Sequence, residues 1–446
     1  MTRMNRRQFL GAATTGAAAI GTWRARGQGA AAPVVKLGLI GCGWYGLVDV
    51  EAAFRAGGIE VASVCDVDRD HLSAAADKIA TLQGKRPREF KLYGEMLAAG
   101  GMDAVVIATP PHWHALQFLA ALEAGLDIYC EKPLAYDIRE AQAMAAAAKK
   151  KPGRVIQIGF QRRQSPAVRA VRDFVKAGGI GRVVQADVQI HYAAGILDTT
   201  PQDPPAALDW DLWCGPAPKL PYCPQIGHKA WRLEKEYGHG HLVDWGIHLI
   251  DATRWILGES MPRSVQAVGR LVKFGGKITT PDTMSAWFDY ASAPVAWRHR
   301  IWGAQEYDSD TSNGILLHGE EGTVFVTDAR WVHVPKAKNP ERRVTEAKAD
   351  LAQAHMADFL DAVRARRPAS CPTAEGFLST AAVKLATIAN DIGAAAAWDA
   401  AAGEATGAAK AGMKREYRAP WKHPWGEEIA KPEFRSAKRS RNAEVQ

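Results

Sequence analysis

The stretch VVKLGLIGCGWYG, Val34 to Gly46, decides the fold. Its first residues are nearly all apolar, as a strand buried on both faces requires, and glycines follow at 41, 43 and 46. In a strand-to-helix turn Gly41 permits the tight turn, Gly43 lets a pyrophosphate approach the backbone, and Gly46 allows close packing of helix on strand. Trp44 and Tyr45 fill the remaining loop positions, and a helix is predicted through Asp49 to Ala56. The next strand, EVASVCD, ends at Asp66, twenty positions after Gly46. A carboxylate there accepts hydrogen bonds from an adenosine ribose and repels a 2′-phosphate, which predicts NAD. Arg69 keeps NADP open, because it could pair with that phosphate. The alternative without a ligand is a flavodoxin-like turn.

Outward from this unit the rhythm repeats: MDAVVIATPP, a helix through Leu116 to Ala124, LDIYCEKP, a helix from Arg139 to Lys149, and VIQIGFQRR. Asp137 with Glu140 three residues on gives the second of these helices a capping box. Strands alternating with helices predict a doubly wound parallel sheet, a Rossmann domain over residues 33–153. From 154 the pattern changes. Ser165 and Pro166 open a helix, the strand RVVQADVQIHY follows, and a Trp/Pro-rich stretch runs from Ala193 to about Gly238. Its spaced tryptophans and prolines favour an ordered wall over a floppy linker. A helix from about Gly240 to Leu257 precedes SVQAVGRLV, DTMSAWFDYA, PVAWRHRIWG, GILLHG and GTVFVTD, whose short connections predict an open, mostly antiparallel sheet. Helical segments through His355 to Ala365 and Leu378 to Ile392 complete a second α/β domain over 154–395, and 396–446 reads as a basic tail.

The formal charge of +8 invites a nucleic-acid partner, but its distribution excludes one. Five arginines stand before Ala32 without an acid, and Lys410 to Gln446 holds ten basic against five acidic residues, so the body is slightly acidic and carries no basic stripe. The N-terminal MNRRQFLGAATTGAAAIG pairs Arg6 and Arg7 with a weakly apolar run and small residues at 29–31, which reads as a twin-arginine export signal over 1–32. That run is too short and glycine-rich to span a membrane. The expected product is a soluble periplasmic protein that meets the Tat translocon during export. Of the six cysteines, only Cys214 and Cys223 share a loop, where an oxidising compartment would let them pair.

Three motifs carry chemistry. ATPPHWH, Ala108 to His114, and EKP, Glu131 to Pro133, both lie at the carboxyl ends of predicted strands, where ligands sit on such sheets. Lys132 could donate a hydrogen bond to the oxygen at a reacting carbon, although a plain surface lysine has the same spacing. His112 and His114 taken alone suit turn and helix-cap positions. In DWGIHLID, Asp244 and His248 are four apart on a predicted helix and so share a face, extended by His241 and Asp251. An imidazole oriented by a carboxylate is a fitting base for a hydroxyl proton. Zinc binding by His241, Asp244 and His248, or a plain polar face, are the competing readings, and no metal is assigned.

The glycine loop, ATPPHWH, EKP and the DxxxH helix, in this order, resemble the Gfo/Idh/MocA family, from about Val34 to Ile392. WDLWCGPAP and Trp231–Arg232 look like its export-signal-bearing branch. The resemblance implies that Lys132, Asp244 and His248 are catalytic. It implies that Gly41, Gly43, Trp44, Tyr45, Gly46, Asp66, Thr109, Pro110, His112, His114, Glu131 and Lys132 bind NAD. Gln161, Arg162 and Arg163, with Tyr192, Trp231, Arg232 and His241, are expected at the substrate. It further implies a carbohydrate or polyol substrate and a dimer or tetramer formed through the open sheet, where Trp287, Trp297 and Trp302 are expected, with a sugar platform as their alternative role. Glucose-fructose oxidoreductases place a tyrosine where His248 stands, so their reaction is not carried over. Nicotinamide cofactors are pooled in the cytoplasm, so an exported member is expected to carry its cofactor tightly bound. Three functions follow: an oxidoreductase, an NAD-dependent glycosidase resembling the α-N-acetylgalactosaminidases, and a non-catalytic accessory protein.

Overall fold

In a computed structural model, residues 33–304 and 311–426 are described, so the export signal read over 1–32 and the end of the basic tail lie outside them. The opening strand is β1, Val35–Ile40, and the helix Trp44–Ala56 starts immediately after Gly43, earlier than its apolar pattern indicated. Strands β2 (Ile59–Cys65), β3 (Arg88–Phe90), β4 (Ala104–Ile107), β5 (Asp127–Cys130) and β6 (Ile156–Ile158) complete a parallel sheet in the order β3-β2-β1-β4-β5-β6. Between β2 and β4 the chain also forms the helices Arg69–Gln83 and Tyr93–Ala99, which the strand alternation alone does not name. Asp137 and Glu140 form the predicted capping box on the helix Ile138–Lys149.

The second sheet is built on β7, Val183–His191. On one side β10 (Pro294–Arg300) pairs parallel to it and leads through β9 (Thr283–Asp289) and β8 (Ser264–Arg270) to β15 (Ala396–Asp399) and β16 (Glu404–Ala405). On the other, β11 (Asn313–Gly319), β12 (Gly322–Val326), β13 (Arg330–Pro335) and β14 (Arg343–Glu346) run antiparallel. Trp287 is half exposed on this sheet, but Trp297 is buried with its indole N–H on His299 Nδ1 at 3.0 Å, so it packs the interior instead of a surface.

Two stretches cross the expected domain boundaries. The helix Leu351–Ala365 returns to the Rossmann sheet, where Met356, Phe359, Leu360 and Val363 share one core with Val35, Leu37, Val50 and Ala53. Burying each such side chain stabilises the joint by about 1.5–3 kcal/mol. Residues 396–426, expected as part of a tail, are folded: β15 extends the sheet, and Arg415, Tyr417 and His423 engage Glu140 and Asp137.

The stretch from 193 to 238 is a wall with its own apolar cluster around Trp210, Trp213, Tyr222 and Tyr237, the two indoles stacked at 4.6 Å. It is stitched to the Rossmann edge by Arg69 N–H on the Ala207 carbonyl (3.0 Å), Asp209 N–H on the Val67 carbonyl (3.1 Å) and a Lys91–Asp209 ion pair at 2.6 Å. All six cysteines are buried free thiols, and Cys214 Sγ meets the Tyr237 hydroxyl at 3.2 Å, not Cys223. Among the described residues no helix is long and apolar enough to cross a membrane.

Candidate active site

A groove of about 1650 Å³ runs along the carboxyl ends of β1, β2 and β4. Its lining includes Gly41, Gly43, Trp44, Tyr45, Asp66, Thr109 and Pro110 on the Rossmann side and Trp231 and Arg232 on the other. This volume exceeds that of an ordinary small-ligand site and suits an extended dinucleotide with a second molecule beside it.

The loop geometry fits a dinucleotide. Gly41 has φ +96°, and a Cβ there would lie 2.8 Å from the Ala108 backbone. A Cβ on Gly46 would strike the Gly41 carbonyl, whereas one on Gly43 would meet only His71, at 4.0 Å, which leaves backbone open to the groove. Asp66 accepts Cys42 N–H at 2.7 Å and Asp68 N–H at 2.8 Å, so the carboxylate is aimed before any ribose arrives. Arg69, the residue that kept NADP open, is largely exposed, stands 3.7 Å from Asp70, and is absent from the lining; His71 is present instead.

Chemistry concentrates where β5 ends. Lys132 Nζ donates to Asp244 Oδ1 at 2.9 Å and to the Asp244 carbonyl at 2.5 Å, and Arg232 Nε donates to the same Oδ1 at 3.1 Å. Asp244 lies in a π-turn, Leu242–Gly246, that leads into the helix Ile247–Leu257; such turns recur at functional sites. Here the turn directs both the carbonyl and the carboxylate toward Lys132. Burial alone would raise the Asp244 carboxyl, but Lys132 and Arg232 override it and hold it well below the usual carboxylate range. Burial, then the charges of Lys132 and Arg162, push His248 well below its ordinary value, so its imidazole is neutral. Its Nδ1 is buried without a hydrogen-bond partner.

Of this constellation only Arg232 belongs to the groove lining; Lys132, Asp244, His248 and the neighbouring Glu131 lie just outside it. Glu131 Oε2 accepts Lys132 N–H at 3.1 Å and its Oε1 accepts Gln161 Nε2 at 2.7 Å, and burial pushes its pKa up to about 7. Asp49, which sequence reasoning passed over, is a second buried carboxyl raised by burial and by Glu131. Its only sequence signal was an acid on the buried face of the first helix.

Several predicted contacts are displaced. His112 and His114 do not reach the groove: His112 Nε2 bonds the Trp213 carbonyl at 2.9 Å, and both His114 nitrogens bond backbone carbonyls, of Pro133 and Thr109, at 2.8 Å. They tie motifs together. Gln161 faces inward to Glu131 and Tyr129. Arg163 is buried in a fork with Asp251 (2.9 and 2.7 Å) and Glu375 (2.9 Å), so the stripe predicted to run through Asp251 turns to the core. Arg162 pairs with Asp328 at 2.6 Å and keeps a buried, unpartnered Nη1. Tyr192 packs against His241 with ring centres 4.8 Å apart and the rings tilted, and His241 borders a separate cavity of about 260 Å³ behind the π-turn. Lys132 and Arg232 both contact Asp244, with His248 within reach of the Lys132 charge.

The model of an oxidoreductase family with an NAD-binding Rossmann fold matches residues 35–160, and that of the family's C-terminal α/β domain matches 168–423. The chain belongs to the Gfo/Idh/MocA oxidoreductase family. Relatives in this family include inositol 2-dehydrogenase 3 of Saccharopolyspora erythraea, 24% identical over 363 residues that cover 78% of this chain and 90% of the relative. The 1,5-anhydro-D-fructose reductase of Ensifer adhaerens is 28% identical over 65% of this chain and 75% of its own. Among solved structures, an oxidoreductase from Agrobacterium radiobacter in complex with NAD+, L-tartaric acid and magnesium superposes with a TM-score of 0.65 at 19% identity, over 82% of this chain and 98% of that one. The family's cofactor, NAD, is the one the groove suits.

Proposed function

We propose that this chain oxidises a secondary hydroxyl of a sugar, polyol or glycoside. The observation that carries the reading is His248: a neutral imidazole with an unpaired buried nitrogen, beside a lysine fixed by Asp244 at the carboxyl end of β5. Lys132 donates a hydrogen bond to the oxygen of the reacting hydroxyl and favours its alkoxide character. His248 takes the hydroxyl proton, for which its lowered pKa keeps it competent at neutral pH. NAD+, when bound, supplies the acceptor for the hydride that leaves the same carbon. Asp244, itself held by Arg232, keeps the lysine in place. Arg162, with its free Nη1, and Arg232 are the polar groups available to orient substrate oxygens.

The twin-arginine segment supports a periplasmic address, and a periplasmic member needs NAD to stay bound and be restored by a second substrate. Trp287 on the open sheet face supports self-association. The test denatures purified protein to identify its nucleotide, then offers the native protein paired polyols and aryl glycosides without added NAD. Oxidation of one polyol coupled to reduction of the other is expected. Aglycone release with no second substrate would replace the oxidoreductase with a glycosidase that oxidises transiently, and no turnover of any kind would favour the accessory role.

A further inference from the structure

On the side facing the glycine loop the groove is bordered by segments from outside the Rossmann sheet. Residues 227–232 run along it. His228 packs against His71 with the rings tilted and their centres 4.3 Å apart, and places Nε2 3.4 Å from Asp68 Oδ2, at the adenosine end. Next to it, Lys229 Nζ lies 4.7 Å from the ring centre of Trp44, at the helix start where a pyrophosphate is received. Three residues on, Arg232 reaches Asp244 at the reactive end. One short segment therefore touches the binding fold at the positions expected for adenosine, phosphate and reacting carbon. His228 does so with φ +43°, a conformation a β-carbon disfavours, which the surrounding contacts must hold in place.

A second segment adds to the cover. Pro420 to Pro424 lines the same groove, with Trp421 edge-to-face on Trp113 at 5.8 Å. It is anchored by Arg418, whose Nε donates to the Gly215 carbonyl at 3.0 Å and whose guanidinium pairs with Asp211 at 2.8 Å. The second cover is thus tied to Gly215 and Asp211 of the wall that also carries residues 227–232, and to Trp113 of the Rossmann domain.

We propose that residues 227–232 and 420–424 form a clasp that makes NAD a resident, non-exchanging group, with His228 and Lys229 as cofactor-holding residues. This rests on the NAD-dependent reading above and names what retains the cofactor. Lys229 sets a positive charge against the pyrophosphate, and His228 closes over the ribose that Asp66 receives. Ground-state retention, not chemistry, is what these two side chains supply.

The test uses the full chain loaded with NAD+, desalted, and dialysed against buffer without nucleotide, with the NAD+ remaining per chain counted after acid release. The parent protein should keep close to one NAD+ per chain overnight. The H228A/K229A double variant should release it at least about tenfold faster, since affinity changes of this kind fall mainly on the dissociation rate. Trp421→Ala carries the same expectation and serves where the double variant fails to fold, as judged by cooperative thermal unfolding. Loss of NAD+ from the parent on desalting, or release from the variants no faster than from the parent, overturns the clasp. The hydride-transfer reading fails separately, if protein holding one NAD+ per chain passes a hydride from no polyol.

Discussion

Replacing Lys132 with methionine tests the reactive centre at its strongest contact. The Lys132 and Asp244 side chains are only 12% and 13% exposed and 2.9 Å apart, so salt screens them little. At an effective dielectric of about 20 their gross attraction is about 6 kcal/mol, most of it offset by the cost of desolvating both charges. Truncating one partner of a buried pair typically costs about 3–5 kcal/mol, because the other charge is left uncompensated. Arg232 still holds Asp244 Oδ1 at 3.1 Å, which places Lys132→Met at the low end, about 3 kcal/mol. The rate should fall at least about a hundredfold, since the group that stabilises the developing alkoxide is gone. Urea unfolding and single-turnover absorbance of the loaded protein measure the two effects. The pair also sets an acid limit. A carboxyl held low in the fold contributes its stability above the unfolded value near pH 4 and loses it as pH falls toward the folded one, so Lys132→Met should begin to lose the Asp244 contribution at a higher pH than the parent. A variant within threefold of the parent rate, or one that unfolds at the same urea concentration, would refute the assignment of Lys132.

Other consequences can be measured in the same protein. Arg163→Met should cost about 3 kcal/mol of stability, the low end for a broken buried pair because Ser379 and Arg254 still face Asp251, yet leave kcat/KM of the folded fraction within about threefold; a selective rise in KM at unchanged stability would return Arg163 to the substrate site. Asp66→Ala should weaken NAD+ binding at least about tenfold in calorimetry while Arg69→Ala stays within about threefold and gains no discrimination against NADP+; the reverse ranking would overturn the choice of cofactor. His112, His299 and His355 are buried neutral, with burial pushing them to about 3, about 4 and about 4. Because the unfolded chain takes up protons on these groups below about pH 6.5, stability should drop by about 1.4 kcal/mol per histidine per pH unit below that point, and a flat urea midpoint from pH 7.5 to 5.5 would contradict it. For the same reason kcat/KM should show no His248 limb near 6.5; a fall centred there would mean the imidazole titrates normally.

The parallel sheet was legible because its cause is local. A buried strand running into Gly41, Gly43 and Gly46 has few other uses, and the alternation that follows dictates one topology. Lys132, Asp244 and His248 were legible as candidates for a similar reason: each sits in a short motif at a predicted strand end or on one helix face. The roles of their neighbours were not. His112 and His114 lie within two or three residues of groove positions and Gln161 and Arg163 flank Arg162, and which of them faces the ligand depends on distant partners, the Trp213 carbonyl, Glu131, Asp251 and Glu375, that no spacing rule locates. The folded stretch 396–426 was hidden because its basic residues are matched by acids far away in the chain, as Arg415 is by Glu140.

The sequence by itself determined the nucleotide fold and the preference for NAD, since these follow from backbone freedom and the charge of single side chains, and it offered Lys132 and His248 as candidates. Only the tertiary structure decided what covers the groove, which arginines are core and which are site, and that His248 stays neutral. Those outcomes depend on burial and on contacts between residues one to three hundred positions apart, and burial is a property that a side chain acquires only when the rest of the chain has closed around it.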